Sequence, residues 1–352
     1  MNYQEIAAQL GEEAQSLLEY RAEKIPASSL VIPGPNKVQE VFVKSDRPDQ
    51  VLESLRQLYA HGRLAGTGYL SIFPVDQGLE HTAGYSFAEN PQYFDPENIV
   101  KFAIEGGCSA VTSSAGALGL VSDQYARTIP FIVKLNHSEH LTHPAKTNQI
   151  LFATVNKAWN MGALGVGATV YFGSEESHRQ IEEISLAFEA AHSLGMFTVL
   201  WCYPRSPNYI KDNYDYSSAV DITAQACYLG ASMGADIIKQ KMPEPLYGFQ
   251  QLGFSKYNEQ MYSNLIGTHP IDLVRYQVLH CYGGKISLIN SGGEAAGGDD
   301  LRAAIRAAVI NKRAGGTGLM MGRKLFKRSW SEGLAILRAV QDVYLEPQVT
   351  VA

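Results

Sequence analysis

Between Tyr69 and Val343 the sequence alternates short apolar runs with helical patterns, eight of each. The apolar runs lie at 69–76, 110–114, 130–136, 164–171, 198–203, 235–241, 286–290 and 318–322. The helical patterns lie at 96–105, 119–127, 149–161, 175–194, 222–233, 272–280, 299–310 and from about 329 to 343. Strands that read as near-continuous apolar runs are those of parallel sheets covered on both faces. Eight strand–helix units in succession predict an α/β fold, a (β/α)8 TIM barrel. An open doubly wound sheet shares the alternation, but the count of eight over about 275 residues favours closure. Gly106-Gly107, Gly162, Gly195 and Gly234 fall where helices end and suit left-handed caps.

Residues 1–65 break this rhythm. Helical patterns at 4–21 and 47–61 flank the turn-rich Ile32-Pro33-Gly34-Pro35-Asn36, and Ser45-Asp46 are plausible N-caps for the second. This predicts an N-terminal helical extension over 1–65, packing on the barrel or on a neighbouring subunit, and a catalytic barrel over 66–352.

Composition narrows the function. A 45% hydrophobic content supports a sizeable core, and a net charge of −6 argues against a general nucleic-acid or anionic-membrane binder. Cys108, Cys202, Cys227 and Cys281 are dispersed, as expected of reduced thiols in a cytoplasmic enzyme. The N-terminus lacks a basic segment followed by an apolar run, so no signal peptide is expected, and no apolar stretch is long enough to span a membrane.

The sixth run, Ala235-Asp236-Ile237-Ile238-Lys239-Gln240-Lys241, carries amines where apolar side chains are expected. Ala235, Ile237, Lys239 and Lys241 share one face, because side chains alternate along a strand. A buried lysine needs a reason. An amine that attacks a carbonyl supplies one, because burial and a like charge both favour the neutral nucleophile. The alternative is that both lysines reach solvent or a carboxylate at a strand end. Parity alone does not choose between Lys239 and Lys241.

Chemistry in such barrels sits at the C-terminal ends of the strands. There the first strand brings Asp76, followed by Glu80 and His81 as candidate substrate contacts, and the third brings Lys134. His137, His140 and His143 follow at three-residue spacing, which permits a metal site, but the stretch reads as a loop of solvated histidines and no metal is expected. The fifth strand brings Trp201, Tyr203 and Arg205: a phenol able to act as acid and base, and an arginine at the rim suited to a phosphate. Trp201 and Tyr203 could instead be core filler. Ser291-Gly292-Gly293 after the seventh strand and Gly322-Arg323 after the eighth match the phosphate site common in these barrels.

At these residues the chain resembles the class I fructose-bisphosphate aldolases of the bacterial and archaeal (DhnA/FbaB) type. The resemblance runs from about Gly66 to Tyr344 and is very close in Thr67-Gly68-Tyr69-Leu70-Ser71-Ile72, Tyr171-Phe172-Gly173-Ser174-Glu175-Glu176-Ser177 and Ala308-Val309-Ile310-Asn311-Lys312-Arg313-Ala314-Gly315-Gly316. It implies that Lys239, the first lysine of A-D-x-x-K-x-K, forms the Schiff base. By the same resemblance Tyr203 of W-x-Y-P-R moves protons, Asp76 assists, and Ser291, Gly292, Gly293, Gly322 and Arg323 hold a phosphate. Archaeal members usually have D-H-G where this chain has Asp76-Gln77-Gly78, so a role for that histidine does not transfer. The expectation is a cofactor-independent enzyme acting on a phosphorylated ketose, and a homo-oligomer by analogy. Competing readings are a relative acting on another phosphorylated ketose, a flavin- or ribulose-phosphate-type barrel, and a non-catalytic barrel.

Overall fold

The computed structural model describes residues 1–352 apart from 145 and 294–298. Eight strands form the barrel: β1 (Leu70–Pro74), β2 (Ala110–Ser114), β3 (Phe131–Lys134), β4 (Gly165–Phe172), β5 (Phe197–Pro204), β6 (Ile237–Gln240), β7 (Ser287–Ser291) and β8 (Gly318–Met320). They pair in parallel in chain order, and β8 closes on β1 with Leu70 opposite Gly318. Each strand is followed by at least one helix, and the strands' apolar side chains share one core with the helices' inner faces.

Several boundaries differ from those expected, each for a local reason. The helix expected at 119–127 is Ala115–Tyr125, because Ser114 ends β2 and caps the helix directly through the Ala117 N–H. The pattern at 149–161 is helical only over Val155–Asn160, where Thr154 supplies the cap. Ile150–Leu151 instead pairs antiparallel with Asn136–His137. The Asp49–Tyr59 helix starts after Pro48 rather than at Ser45-Asp46. Gly107, Gly162, Gly195 and Gly234 have φ of +63° to +89° as caps should, whereas Gly106 is right-handed at −72°. The helices Gly248–Leu252 and Glu259–Leu265 follow β6 without having been anticipated.

The first 65 residues build onto the barrel from two sides. Tyr3–Leu10 and Ala14–Glu19 lie against the helix Asp300–Ala314, whose Arg302 and Arg313 donate to the carbonyls of Leu10, Leu17 and Tyr20 at 2.6–2.9 Å. Asp49–Tyr59 packs at the N-terminal end of the strands. Val51, Leu55 and Leu58 on its inner face are fully buried, each contributing roughly 1.5–3 kcal/mol. Ser54 donates to the Gly195 carbonyl at 2.7 Å, and the Tyr59 hydroxyl meets Ser287 at 2.6 Å. This helix thereby covers the N-terminal ends of β5 and β7.

Candidate active site

The register of β6 sets Lys239 level with Trp201 on β5 and Ile289 on β7. Its Nζ lies 5.2 Å from the centre of the Trp201 ring and 5.9 Å from that of Tyr203. The side chain is 9% exposed, and among the described residues no carboxylate pairs with it. Lys241, one residue past the strand, reaches the Tyr203 ring at 6.0 Å. The two lysines thus flank one phenol, whose hydroxyl meets the Ser291 Oγ of β7 at 3.1 Å. Strand alternation accounts for the arrangement: Trp201 and Tyr203 are two residues apart on β5, facing a lysine on its neighbour.

Across the mouth, Lys134 at the end of β3 is in the opposite electrostatic state. It is 1% exposed, and its Nζ donates to Asp76 Oδ2 at 2.8 Å and Glu80 Oε1 at 2.6 Å. Burial disfavours its charge, but the two carboxylates outweigh burial and hold the ammonium pKa above the usual lysine value. The same pairing holds Asp76 and Glu80 below the usual carboxylate range, again against burial. Glu80 is tied down on its other oxygen by Gln149 at 3.2 Å and by Ser138 and Tyr171 at 3.4 Å each. Asp76 accepts side-chain bonds only from Lys134 among the described residues, which leaves its Oδ1 open to a reacting group.

One expectation for the histidines is corrected here. His137 is fully buried rather than solvated, with Nδ1 3.5 Å from Glu80, because the Asn136–His137 ribbon folds it under Phe152. His140 and His143 are exposed as expected. Asp76, Glu80 and His137 bring possible ligand atoms within 4.8 Å of one another. The Lys134 ammonium already sits between the two carboxylates and does the work that a cation would do there.

The glycines after β7 and β8 line the same mouth. A Cβ on Gly322 would stand 2.6 Å from the Pro74 carbonyl oxygen, and one on Gly292 2.6 Å from the Met321 side chain, so close strand approach demands glycine at both. Gly292 spends its own N–H on the Met320 carbonyl at 3.1 Å, so it is not a free donor. Arg323 opens the short helix Arg323–Phe326. Arg205 lies at the rim with its guanidinium 4.8 Å above the Tyr171 ring. The His81 ring lies 6.4 Å from that of His140 in the loop after β1.

Sequence reasoning missed a buried amide chain behind β6 and β7. Gln277 Nε2 donates to the Lys241 carbonyl at 3.1 Å, and Asn290 Nδ2 donates to Gln277 Oε1 at 3.0 Å. Asn311 Nδ2 donates to Asn290 Oδ1 and the Tyr344 hydroxyl to Asn311 Oδ1, each at 2.8 Å. These amides are fully buried and satisfied, so they fix the ends of the two strands that present Lys239 and Ser291. The available signal was Asn290, an amide at the end of the seventh strand run.

Known proteins resemble this chain in sequence and in fold. The sequence profile of the DeoC/LacD family aldolases matches residues 70–328. Proteins named probable fructose-bisphosphate aldolase class 1 from Chlamydia pneumoniae and Chlamydia muridarum are 55% and 53% identical over 343 residues, spanning 97% of this chain and 98% of theirs. The fructose-bisphosphate aldolase from Slackia heliotrinireducens shares the fold, with a TM-score of 0.71 at 23% identity over 88% of this chain and 91% of its own. The chain belongs to the DeoC/LacD family of aldolases.

Proposed function

We propose that this chain is a class I fructose-1,6-bisphosphate aldolase, cleaving its substrate reversibly into dihydroxyacetone phosphate and glyceraldehyde 3-phosphate. The observation that carries the reading is Lys239, a mostly buried amine without a carboxylate partner among the described residues, set against Trp201 and Tyr203 at the mouth of the barrel. The names of the two chlamydial relatives support the substrate.

Lys239 attacks the ketone at C2, and loss of water gives a protonated imine. That cation takes up the electron pair released when the C3–C4 bond breaks. The C4 hydroxyl proton leaves in the same step, releasing glyceraldehyde 3-phosphate; the resulting enamine is protonated at C3, and water then hydrolyses the imine to free dihydroxyacetone phosphate and the Lys239 amine. Tyr203 lies beside Lys239 and serves as the proton donor to carbon and as the acceptor at the C4 hydroxyl. Asp76, with its open oxygen, assists formation and dehydration of the carbinolamine. Lys134 has one N–H beyond the two given to carboxylates, which can reach a substrate hydroxyl. The loops at Ser291, Gly293, Gly322 and Arg323 hold the 1-phosphate, and Arg205 with Lys241 faces the 6-phosphate. His81 and Trp201 line the substrate path. Holding both ends places C2 against the amine and removes orientational freedom from the barrier. The scheme needs no cofactor.

The same reading takes residues 1–65 as an extension of a catalytic unit over 66–352, and places the enzyme in the cytoplasm as a homo-oligomer. Four buried free cysteines support the compartment, and exposed Leu120 and Trp159 offer apolar surface for a subunit contact. No helix among the described residues is long and apolar enough to cross a membrane. The central test is borohydride reduction in the presence of dihydroxyacetone phosphate, followed by peptide mass spectrometry. A stable adduct on Lys239 is expected; an adduct elsewhere, or none, refutes the assignment. A panel of phosphorylated ketoses then sets the substrate range.

A further inference from the structure

The loops after β7 and β8 contain a buried cation that neither the strand-end reading nor the family resemblance assigned. Lys324, the second residue of the helix Arg323–Phe326, is 6% exposed. Its Nζ lies 3.7 Å from where a Cβ on Gly293 would stand, so the ammonium sits directly over that glycine. Among the described residues Lys324 makes no hydrogen bond and no ion pair. Burying an ammonium without a partner is unfavourable, and a chain that tolerates it gains something in return. The N–H groups of Gly293 and Gly322 also carry no hydrogen bond among the described residues. Gly293 has φ +79°, and nothing of Lys324 comes closer than 3.7 Å to the space a side chain would fill there.

An unpaired buried ammonium and unspent backbone donors, all at the ends of β7 and β8, make a binding place for a doubly charged anion. We propose that Lys324 is the charged anchor of the substrate's 1-phosphate, acting with the N–H groups of Gly293 and Gly322. The proposal deepens the aldolase reading and rests on it for the identity of the ligand, a phosphate monoester. Charged groups near Lys324 fit this role. Asp300, whose charge favours the ammonium, is already paired with Arg328, and Arg323 is the adjacent residue. Burial is the larger influence and pulls the Lys324 pKa below the usual lysine value. A bound phosphate reverses that pull, so binding takes up a proton wherever the free amine is partly neutral.

The test is isothermal titration of the full chain with inorganic phosphate and with dihydroxyacetone phosphate, in two buffers of different ionisation enthalpy near pH 9. Wild type, Lys324→Met and Lys324→Arg are compared. For wild type the expected result is proton uptake on binding. In Lys324→Met both ligands weaken about 10- to 100-fold, the size of one lost charge-assisted bond, and proton uptake disappears. The KM for fructose 1,6-bisphosphate rises in parallel while kcat changes far less. Lys324→Arg keeps most of the affinity. Lys324→Met melts at or above the wild-type temperature, because it removes a buried unpaired charge, so weak binding cannot be blamed on unfolding. Wild-type affinity for phosphate in Lys324→Met overturns the proposal, and if wild type still cleaves the sugar the aldolase reading stands without it. Phosphate binding that depends on Lys324 in a protein that cleaves no ketose phosphate has the opposite meaning: the anion site is real and the aldolase reading fails.

Discussion

The strand that carries Lys239 has a charged side chain near each end, and the two are treated in opposite ways. Asp236, immediately before β6, is fully buried at the N-terminal end of the barrel strands. It accepts from Arg47 Nε at 2.7 Å and the Thr198 N–H at 2.9 Å, and meets His192 Nε2 at 3.0 Å. Burial pushes its carboxyl up, but His192 and Arg47 outweigh burial and hold it below the usual range. Three residues on, Lys239 has aromatic rings beside it and, among the described residues, no carboxylate partner. At the bottom Asp236 is matched by Arg47 and His192, so its charge serves stability. At the top no carboxylate among the described residues ties up the Lys239 side chain. Lys134 shows that the top could have matched it, since two carboxylates do so for that lysine.

This contrast can be broken most sharply at Lys239. Lys239→Met is expected to lower kcat by at least about 10⁴-fold in a coupled cleavage assay while leaving the fold intact. Retention of full activity would place the chemistry elsewhere. Tyr203→Phe is expected to lose about 10²- to 10⁴-fold in kcat. It should still accumulate a borohydride-trappable adduct, since imine formation precedes the proton transfers assigned to the phenol. If no adduct forms, the phenol is needed earlier than proposed.

At the other end the effect moves to stability. Asp236→Asn leaves Arg47 without its buried partner and is expected to cost about 3–5 kcal/mol in urea unfolding, with kcat unchanged. The pH dependence has a definite sign. The folded pKa of Asp236 is depressed, so its contribution is complete above the unfolded value of about 3.9 and is lost as pH falls through the folded value. The loss of stability with falling pH should therefore be shallower in Asp236→Asn than in wild type, and identical acid slopes would show that the network does not carry this linkage. The smallest expected effect is that of chelation. EDTA should leave cleavage unchanged, because the Lys134 ammonium supplies the positive charge between Asp76 and Glu80; a loss restored by a divalent ion would overturn that account.

The barrel was legible because its signal is repeated eight times over, and each error of boundary was local. Ser114 ends a strand and caps a helix in one residue, a double use that periodicity cannot see. The apolar pair Ile150–Leu151 fits a helical pattern equally well until Asn136–His137 claims its backbone. Within the candidate site, Lys239, Tyr203 and Asp76 could be proposed because strand ends in such barrels are where chemistry collects, and the resemblance chose between two lysines of equal parity. His137 and Lys324 were misplaced or passed over. Whether a histidine in a loop or a lysine in a short helix is buried depends on what folds over it.

The sequence alone determined the period of the strands, the face on which the amines fall and the family to which they belong, because these depend on neighbours along the chain. Only the tertiary structure decided which charges are paired. Lys134 finds Asp76 and Glu80 across more than fifty residues of chain, Asp236 finds Arg47 across 189, and Lys239 finds no carboxylate among the described residues. Pairing requires side chains distant in sequence to meet at under 3 Å in a low-dielectric interior, and closure of the barrel is what fixes those meetings.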